Sequence, residues 1–183
     1  MVILLSIALL SASSAARAVT LGFVPSSSEV YVGSPVSVSL VASDLTDSAA
    51  PSLGTFDLDL VFDSALLSLT GVTFGDPVLG DQLDLFGLGS LSGSEESAPG
   101  SLNVFEISFD ASSDLDDLQA GSFTLVTLTF DALAPGTSAL AFGSVTLGDA
   151  LGDPLLADLV PGSITVAELP EPAAATLALL AGL

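Results

Sequence analysis

Two aspartates, Asp57 and Asp59, have the spacing in this chain that best fits a catalytic pair. They alternate with Phe56, Leu58 and Leu60, a period of two that is typical of a strand with one buried face and one wet face. On such a strand both carboxyl groups lie on one face, with Cβ atoms about 7 Å apart. Glycosidases place two carboxyl groups about 5–9.5 Å apart. Spacing alone therefore permits catalysis; a solvated strand face and a partner-facing patch are the alternatives.

The composition of the chain argues against an enzyme. The chain has no Cys and no His, which excludes disulfides, a Ser-His-Asp triad, a Cys-His pair and the usual zinc sites. Carbohydrate-active enzymes line their clefts with aromatic side chains, but this chain has no Trp and one Tyr, Tyr31. We expect a protein that is not an enzyme. The alternative is an extracellular carbohydrate-active enzyme that uses the carboxylate pair.

A second group of carboxylates lies within one short segment. Asp110, Asp114, Asp116 and Asp117 all fall in residues 110–119, after a predicted strand. Oxygen-rich loops suit calcium, which takes six to eight oxygen ligands, although the spacing is not that of an EF-hand. These four residues form a candidate calcium site. The alternatives are an exposed acidic loop, or a helical turn that Asp114 caps.

The charge of the chain restricts its partners. It carries 22 acidic side chains and one basic side chain, Arg17, for a net charge of −21. This balance excludes ordinary nucleic-acid binding, which needs Lys and Arg to neutralise phosphates, and it argues against docking on an anionic membrane. It favours solubility and attracts cations. The simplest interpretation is that acidic side chains solvate the outside of an apolar β domain.

The most regular stretch, residues 54–69, predicts the strand that positions the two aspartates. Its apolar side chains share one face, and Asp63 is expected to end the strand and to accept bonds from the free amides of a short helical turn. A second stretch, residues 121–136, is apolar or β-branched on both faces. That pattern predicts a central strand covered on both sides. We expect these two strands to form the middle of the domain.

The remainder of the chain has the punctuation of an all-β protein. Short strand patterns alternate with Gly, Pro, Asp and Ser, and no amphipathic helix is convincing. One predicted strand places Phe105, Ile107 and Phe109 on a single face, and Gly143 separates two further short strands. Residues 87–101 are rich in Gly and Ser and predict a mobile loop. About nine short strands together predict an antiparallel two-sheet sandwich.

Both ends of the chain predict processing segments. Residues 2–10 are apolar and precede small residues that include Ala16 and Ala18, which is typical of a secretory signal peptide cleaved after Ala18. The alternative is a buried first strand. Residues 173–183 are also apolar but shorter than the roughly 20 residues of a membrane-spanning helix, and a docked C-terminal helix is the alternative there. The expected organisation is a leader at 1–18, a β domain at 19–168 and a tail at 169–183.

The tail resembles the start of a PEP-CTERM sorting signal. Pro170, Glu171 and Pro172 precede the apolar run, as in that family, whose pattern continues with a spanning helix and an Arg-rich end that do not follow here. The resemblance implies export across the inner membrane of a Gram-negative bacterium that makes exopolysaccharide. It also implies processing by an exosortase.

The region between the ends resembles a cohesin domain. Four pieces match in order and spacing: GSPVSVSLVASDL at 33–45, GTFDLDLVFDSALLSL at 54–69, GSFTLVTLTFDALAPGTSAL at 121–140 and PGSITV at 161–166. The resemblance implies a nine-stranded jelly-roll β-sandwich and the binding of dockerin modules, the calcium-binding tags of glycoside hydrolases. No dockerin-binding residue can be carried over, because no motif fixes that face.

The sequence therefore predicts an exported binding or structural module. It would act at the cell surface or in the exopolysaccharide matrix, through protein–protein or carbohydrate recognition. The expected partners are a dockerin-like protein or an exopolysaccharide, and calcium is the only cofactor that the residues favour.

Overall fold

The computed structural model describes residues 18–169, which form eleven strands and one short helix. In chain order these are β1 (Val19–Pro25), β2 (Glu29–Tyr31), β3 (Pro35–Ser43), β4 (Leu53–Val61), β5 (Leu67–Phe74), β6 (Ser90–Ala98), β7 (Ser101–Ser108), α1 (Ser112–Leu118), β8 (Phe123–Ala132), β9 (Gly136–Asp149), β10 (Ala157–Val160) and β11 (Gly162–Ala167). The predicted signals at Ala16, Pro170, Glu171 and Pro172 lie outside the described residues and stay predictions. No helix within residues 18–169 has the length and hydrophobicity needed to cross a membrane.

The strands form two sheets that pack face to face. One sheet has the order β10-β1-β3-β8-β5, and the other has the order β2-β11-β9-β4-β7-β6. The buried apolar side chains of both sheets merge into one core between them. The predicted all-β sandwich is therefore confirmed. The two strands predicted at its middle, β4 and β8, each pair with a neighbour on both sides.

The predicted strand number and strand direction need correction. Residues 18–169 form eleven strands rather than nine, and two of the strand pairs are parallel, β1 with β10 and β2 with β11. One missed strand is β6, in the segment that the composition assigned to a mobile loop. It pairs along its length with β7, with Leu91 opposite Ile107 and Glu95 opposite Asn103. The loop prediction is wrong because β6 is a largely exposed edge strand, and such a strand needs no alternating apolar residues.

Strand β9 also departs from the sequence prediction. The two short strands expected around Gly143 are one strand of 14 residues. Two of its residues, Gly143 and Ser144, lie opposite the single residue Asp59, because the register slips between Leu58 and Leu60 of β4. This slip is a β-bulge, which bends a strand without ending it.

Strand β4 follows its sequence pattern closely. Phe56, Leu58 and Leu60 are at most 2% exposed, whereas Asp57 on the alternate face is exposed. After the strand, the Asp63 carboxylate accepts a hydrogen bond from the Ala65 amide at 2.9 Å. The predicted strand, its buried face and its polar stop are all confirmed.

Strand β8 is buried on both faces only in its first half. Phe123, Thr124 and Leu125 are all buried, but further along Thr127 is half-buried and Asp131 is exposed. The register with β3 slips at Leu125, which leaves this residue without a partner on β3. The bulge shifts the alternation of inward and outward side chains by one residue. Phe123, before the bulge, and the even-numbered residues after it therefore both face the core.

A buried glutamine ties the helix region to the six-stranded sheet. The predicted acidic loop contains α1, and Gln119 follows this helix with 2% exposure. Its side chain accepts from the Leu53 amide at 2.7 Å and donates to the Leu53 carbonyl at 2.8 Å and the Gln82 carbonyl at 2.9 Å. The Gln82 side chain in turn accepts from the Ala120 amide at 3.0 Å. These bonds anchor residues 82–83 at the end of the sandwich.

Candidate interaction surface

The outer face of the six-stranded sheet has a hydrogen-bonded acidic centre. One Asn103 side-chain amide donates to Asp57 at 2.7 Å and to Asp59 at 3.0 Å. The register brings this group together, because Asn103 on β7 lies opposite Asp59 on β4 and Phe105 lies opposite Asp57. We call Asp57, Asp59 and Asn103 the acidic centre. Since one amide binds both carboxylates, it restrains their positions relative to each other.

This geometry does not favour the catalytic interpretation of the pair. Asp57 is exposed and Asp59 is half-buried on an open sheet face, whereas substrate sites are concave and bury most of the ligand. A pocket of about 210 Å³ lies elsewhere, lined by Ala50, Pro51, Asp116, Asp149, Ala150 and Leu151. The acidic centre therefore fits a solvated or partner-facing strand surface better than a glycosidase cleft.

Apolar side chains continue this surface beside the acidic centre. Leu91 is 51% exposed, Ile107 is 42% exposed and Phe109 is 63% exposed, while Phe105 is half-buried between them. We call these four residues the apolar strip. A Cβ atom at Gly93 would lie 2.8 Å from the Phe105 ring, so this glycine allows the ring to lie across β6. The strip and the acidic centre share the outer face of β7.

The apolar strip is exposed because its β7 residues lie on the face of that strand that is turned away from the core. Phe105, Ile107 and Phe109 share one side of the chain, as the sequence predicted. That side is the outer one, because Leu102 and Val104 fill the core at 1% and 0% exposure. Phe105 and Phe109 therefore lie outside the core. Phe86, which is not part of this strand, is also exposed, at 53%.

The same alternation places a carboxyl group, that of Glu106, inside the sandwich. Glu106 is 1% exposed, and the Ser90 hydroxyl donates a hydrogen bond to it. Burial raises the pKa of Glu106 to about 7; the Ser90 bond opposes this rise, and the nearby carboxyls of Asp81 and Asp84 add to it. Glu106 is the only acidic side chain among the buried polar groups of residues 18–169.

The four aspartates of the candidate calcium site have separate surroundings. Asp110 accepts from the Leu85 amide at 2.7 Å through one oxygen, and its other oxygen is buried with no hydrogen-bond partner. Asp116 accepts from the Ser52 hydroxyl at 2.7 Å. Asp114 lies in the first turn of α1, and Asp117 is exposed on the same helix.

These placements do not bring the four carboxylates into one cluster. Among residues 18–169 no three or more acidic, His or Cys side chains are arranged to hold a metal ion. The helix cap is Ala111, with no side-chain hydrogen bond, so the alternative in which Asp114 caps a turn is wrong. Calcium binding at Asp110, Asp114, Asp116 and Asp117 stays a prediction. Calorimetry with millimolar Ca²⁺ tests it directly.

Solved structures with a similar fold are cohesin domains. The sixth cohesin of scaffoldin B from Acetivibrio cellulolyticus, solved with a Cel5 dockerin, is 17% identical, with a TM-score of 0.63 over 82% of this chain and 100% of that chain. A Clostridium thermocellum cohesin, Coh-OlpC in complex with Doc435, is 18% identical, with a TM-score of 0.63 over 86% and 99%. The chain has a cohesin fold. A non-cellulosomal cohesin from Archaeoglobus fulgidus is 16% identical, with a TM-score of 0.59 over 82% and 90%.

The cohesin fold confirms the resemblance that the sequence pieces carried. No protein-family model matches the sequence, and no curated protein matches it. At these identities the likeness shows the fold alone, so the surface residues must be argued from their own geometry. The sequence analysis did not identify Asn103 or Glu106. Leu102 and Val104 are apolar and share one face of β7 with Glu106, and this alternation predicts that Glu106 is buried.

Proposed function

We propose that this chain is an exported, non-enzymatic protein-binding module that docks its partner on the outer face of β4, β7 and β6. The acidic centre beside the apolar strip is the observation that carries the proposal. Several of the similar cohesins were solved in complex with dockerins, which supports a dockerin-like protein domain as the partner. Export rests on the predicted leader and sorting segment.

The composition of this face fits protein recognition. Interfaces combine an apolar centre enriched in aromatic residues with polar groups that satisfy their hydrogen bonds at the rim. Here Phe105 and Ile107 supply apolar area, and the acidic centre supplies fixed acceptors. Pre-organised groups lose little conformational freedom on binding, so more of the interaction energy appears as affinity.

Charge specifies the kind of partner. The face carries Asp57, Asp59 and Glu95, and the chain has a net charge of −21. A partner that presents Lys or Arg beside an apolar patch would be steered to this surface and held in register. We therefore expect binding to weaken as ionic strength rises, because salt screens exposed charges.

A capture experiment tests the proposal on the domain of residues 18–169, which contains both sheets. The domain is immobilised and exposed to the extracellular fraction of the source organism, and the captured proteins are identified. A double Asp57→Asn and Asp59→Asn variant removes the charges, and Ile107→Ser removes apolar area from the same face. Ser39→Ala with Thr127→Ala is the matched control on the opposite sheet.

The expected result is a protein that the wild type and the opposite-face control retain and that both outer-face variants lose. Equal retention by all variants would overturn the proposed surface. Retention of polysaccharide alone would overturn protein recognition and favour a role in the matrix.

A further inference from the structure

Residues 84–89 connect the anchored end of the sandwich to the edge strand β6. Carboxylates hold this connecting segment: the Leu85 amide donates to Asp110 at 2.7 Å, and the Gly89 amide donates to Asp84 at 2.9 Å. Just before it, Leu83 is 1% exposed in the core. The segment is therefore fixed at its start and held by acidic acceptors along its length.

Little apolar burial holds the connecting segment itself. Phe86 is 53% exposed and Leu88 is 77% exposed. Gly87 and Gly89 adopt positive φ angles of 65° and 105°, which cost glycine little. Segments with few buried apolar contacts open locally at a small free-energy cost. Repulsion between Glu106 and Asp84, at the start of the segment, would therefore be relieved here, while Leu83 stays in the core.

A group of carboxyls lies at the junction of this segment with β6 and β7. Glu106 of β7 is bonded to Ser90, the first residue of β6. It is near Asp81 and Asp84, whose charges oppose its ionisation. The only basic residue of the chain is Arg17, so residues 18–169 contain no Lys, Arg or His to neutralise the group. Protonation of a carboxyl group can therefore lower the negative charge of this group without a basic side chain.

We propose that the connecting segment is a pH-dependent clasp. It closes on β6 and β7 when the buried Glu106 carboxyl holds its proton, and it loosens when Glu106 becomes charged beside Asp81 and Asp84. This inference is independent of the proposed partner, because it concerns the domain alone.

The titration of Glu106 places the transition near neutral pH. Burial raises the pKa of Glu106 to about 7, so the buried proton is lost where physiological pH changes act. The groups that face Glu106 are Asp81, which precedes the connecting segment, Asp84, its first residue, and Ser90 from β6. Loosening would free Phe86 and Leu88, which precede Leu91 of the apolar strip along the chain.

The chain contains no tryptophan, so a single introduced tryptophan reports on the clasp without interference. Phe86→Trp places the indole in the segment, and its quenching by acrylamide is measured from pH 5.5 to pH 9 in the presence of a chelator. We expect quenching to rise about twofold through a midpoint near pH 7, because a loosened segment exposes the indole. The same reporter in a Glu106→Gln background should show no transition.

Two controls separate the clasp from a general effect of pH. Tyr31→Trp, on the opposite edge strand β2, should give quenching that does not change over the same range. Phe86→Trp with Asp81→Asn should move the midpoint to lower pH, because one repelling carboxylate is gone; this variant also serves if Glu106→Gln fails to fold. A flat profile for Phe86→Trp would overturn the proposal. So would an unchanged transition in the Glu106→Gln background, or the same transition at both reporters.

Discussion

The two sheets present the same kind of surface to the core and different surfaces to solvent. On the five-stranded sheet the outer row pairs Ser37 with Thr129 and Ser39 with Thr127, all half-buried hydroxyl residues. On the six-stranded sheet the corresponding face carries the acidic centre and the apolar strip. Short hydroxyl side chains suit a solvated strand and offer a partner little area. The comparison teaches that inward positions define the sandwich, whereas outward positions are free to carry function.

The largest expected effect tests whether the two sheets really share one core. Leu58→Ala in β4 and Leu128→Ala in β8 each remove a side chain that is at most 1% exposed. Each should lower the free energy of unfolding by about 3 kcal/mol, since both leave a cavity. Denaturant unfolding measures this. Very unequal losses would break the comparison, because they would mean that one sheet is supported independently.

Glu106→Gln tests a difference between the interiors of the two sheets, because the buried carboxyl group belongs to the six-stranded sheet. The folded pKa of about 7 lies above the ordinary value of 4.5, so the folded state binds more protons than the unfolded state between these values. Wild-type stability then falls as pH rises from about 4.5 to about 7. The variant escapes this loss and should be more stable above pH 7 by about 2 kcal/mol after solvent screening.

Thermal melts of both proteins at several pH values check this result. Near pH 4 the two should unfold with nearly equal free energies, because Glu106 is protonated in both states. A constant difference at all pH values would show that the substitution acts through packing and not through the proton.

Asp76→Ala tests the opposite pH dependence at the turn after β5, which is bonded to the start of β8. Asp76 accepts from the Leu79, Thr124 and Val78 amides at 2.8–2.9 Å. Burial raises the pKa of Asp76, but these hydrogen bonds outweigh it and hold the pKa below the ordinary value of 3.8. The stability that Asp76 contributes is present above pH 3.8 and is lost as pH falls through the folded pKa. The variant should lose about 1 kcal/mol at neutral pH.

Acid titration of unfolding separates Asp76 from Glu106. The stability difference between wild type and Asp76→Ala should shrink as acid is added, whereas the difference for Glu106→Gln should shrink already above pH 4.5. A loss for Asp76→Ala that persists unchanged in strong acid would assign the effect to lost backbone order alone.

The smallest expected effect concerns the hydroxyl face. Ser39→Ala with Thr127→Ala should change the free energy of unfolding by less than about 0.5 kcal/mol, as surface substitutions usually do. It should leave partner capture unchanged. A clear loss of capture would reverse the functional assignment of the two faces.

The sequence predicted those parts of the fold in which one buried face produces an alternation of apolar and polar residues. In β4 the alternation of Phe56, Leu58 and Leu60 with aspartates specified the strand, its buried face and its stop. Strand β6 has no such pattern, because neither of its faces is fully covered, and its pairing with β7 supplies the order that its composition lacks. Gly143 could not be told from a strand end, since a bulge and a break both favour glycine.

The candidate surface was harder to predict than the fold. Asp57 and Asp59 were placed on one face correctly, but their link to Asn103 depends on the register between β4 and β7. Asn103 lies 44 residues from Asp59 and 46 residues from Asp57 in the chain. The face of β7 was ambiguous, because Leu102 and Val104 compete with Phe105 and Ile107 for the core. Only the position of β7 in the sheet decides which set is buried.

The two parallel pairs bring the start of the domain against its end. Strand β2 has β11 as its only neighbour in the sheet, with Glu29 opposite Thr165. During synthesis, nearly the whole domain must therefore be made before the backbone groups of β2 meet their partners. Contacts of such long sequence separation form slowly, because the intervening chain must first be closed into a loop. A growing chain can therefore pair β2 only after β11 has been made.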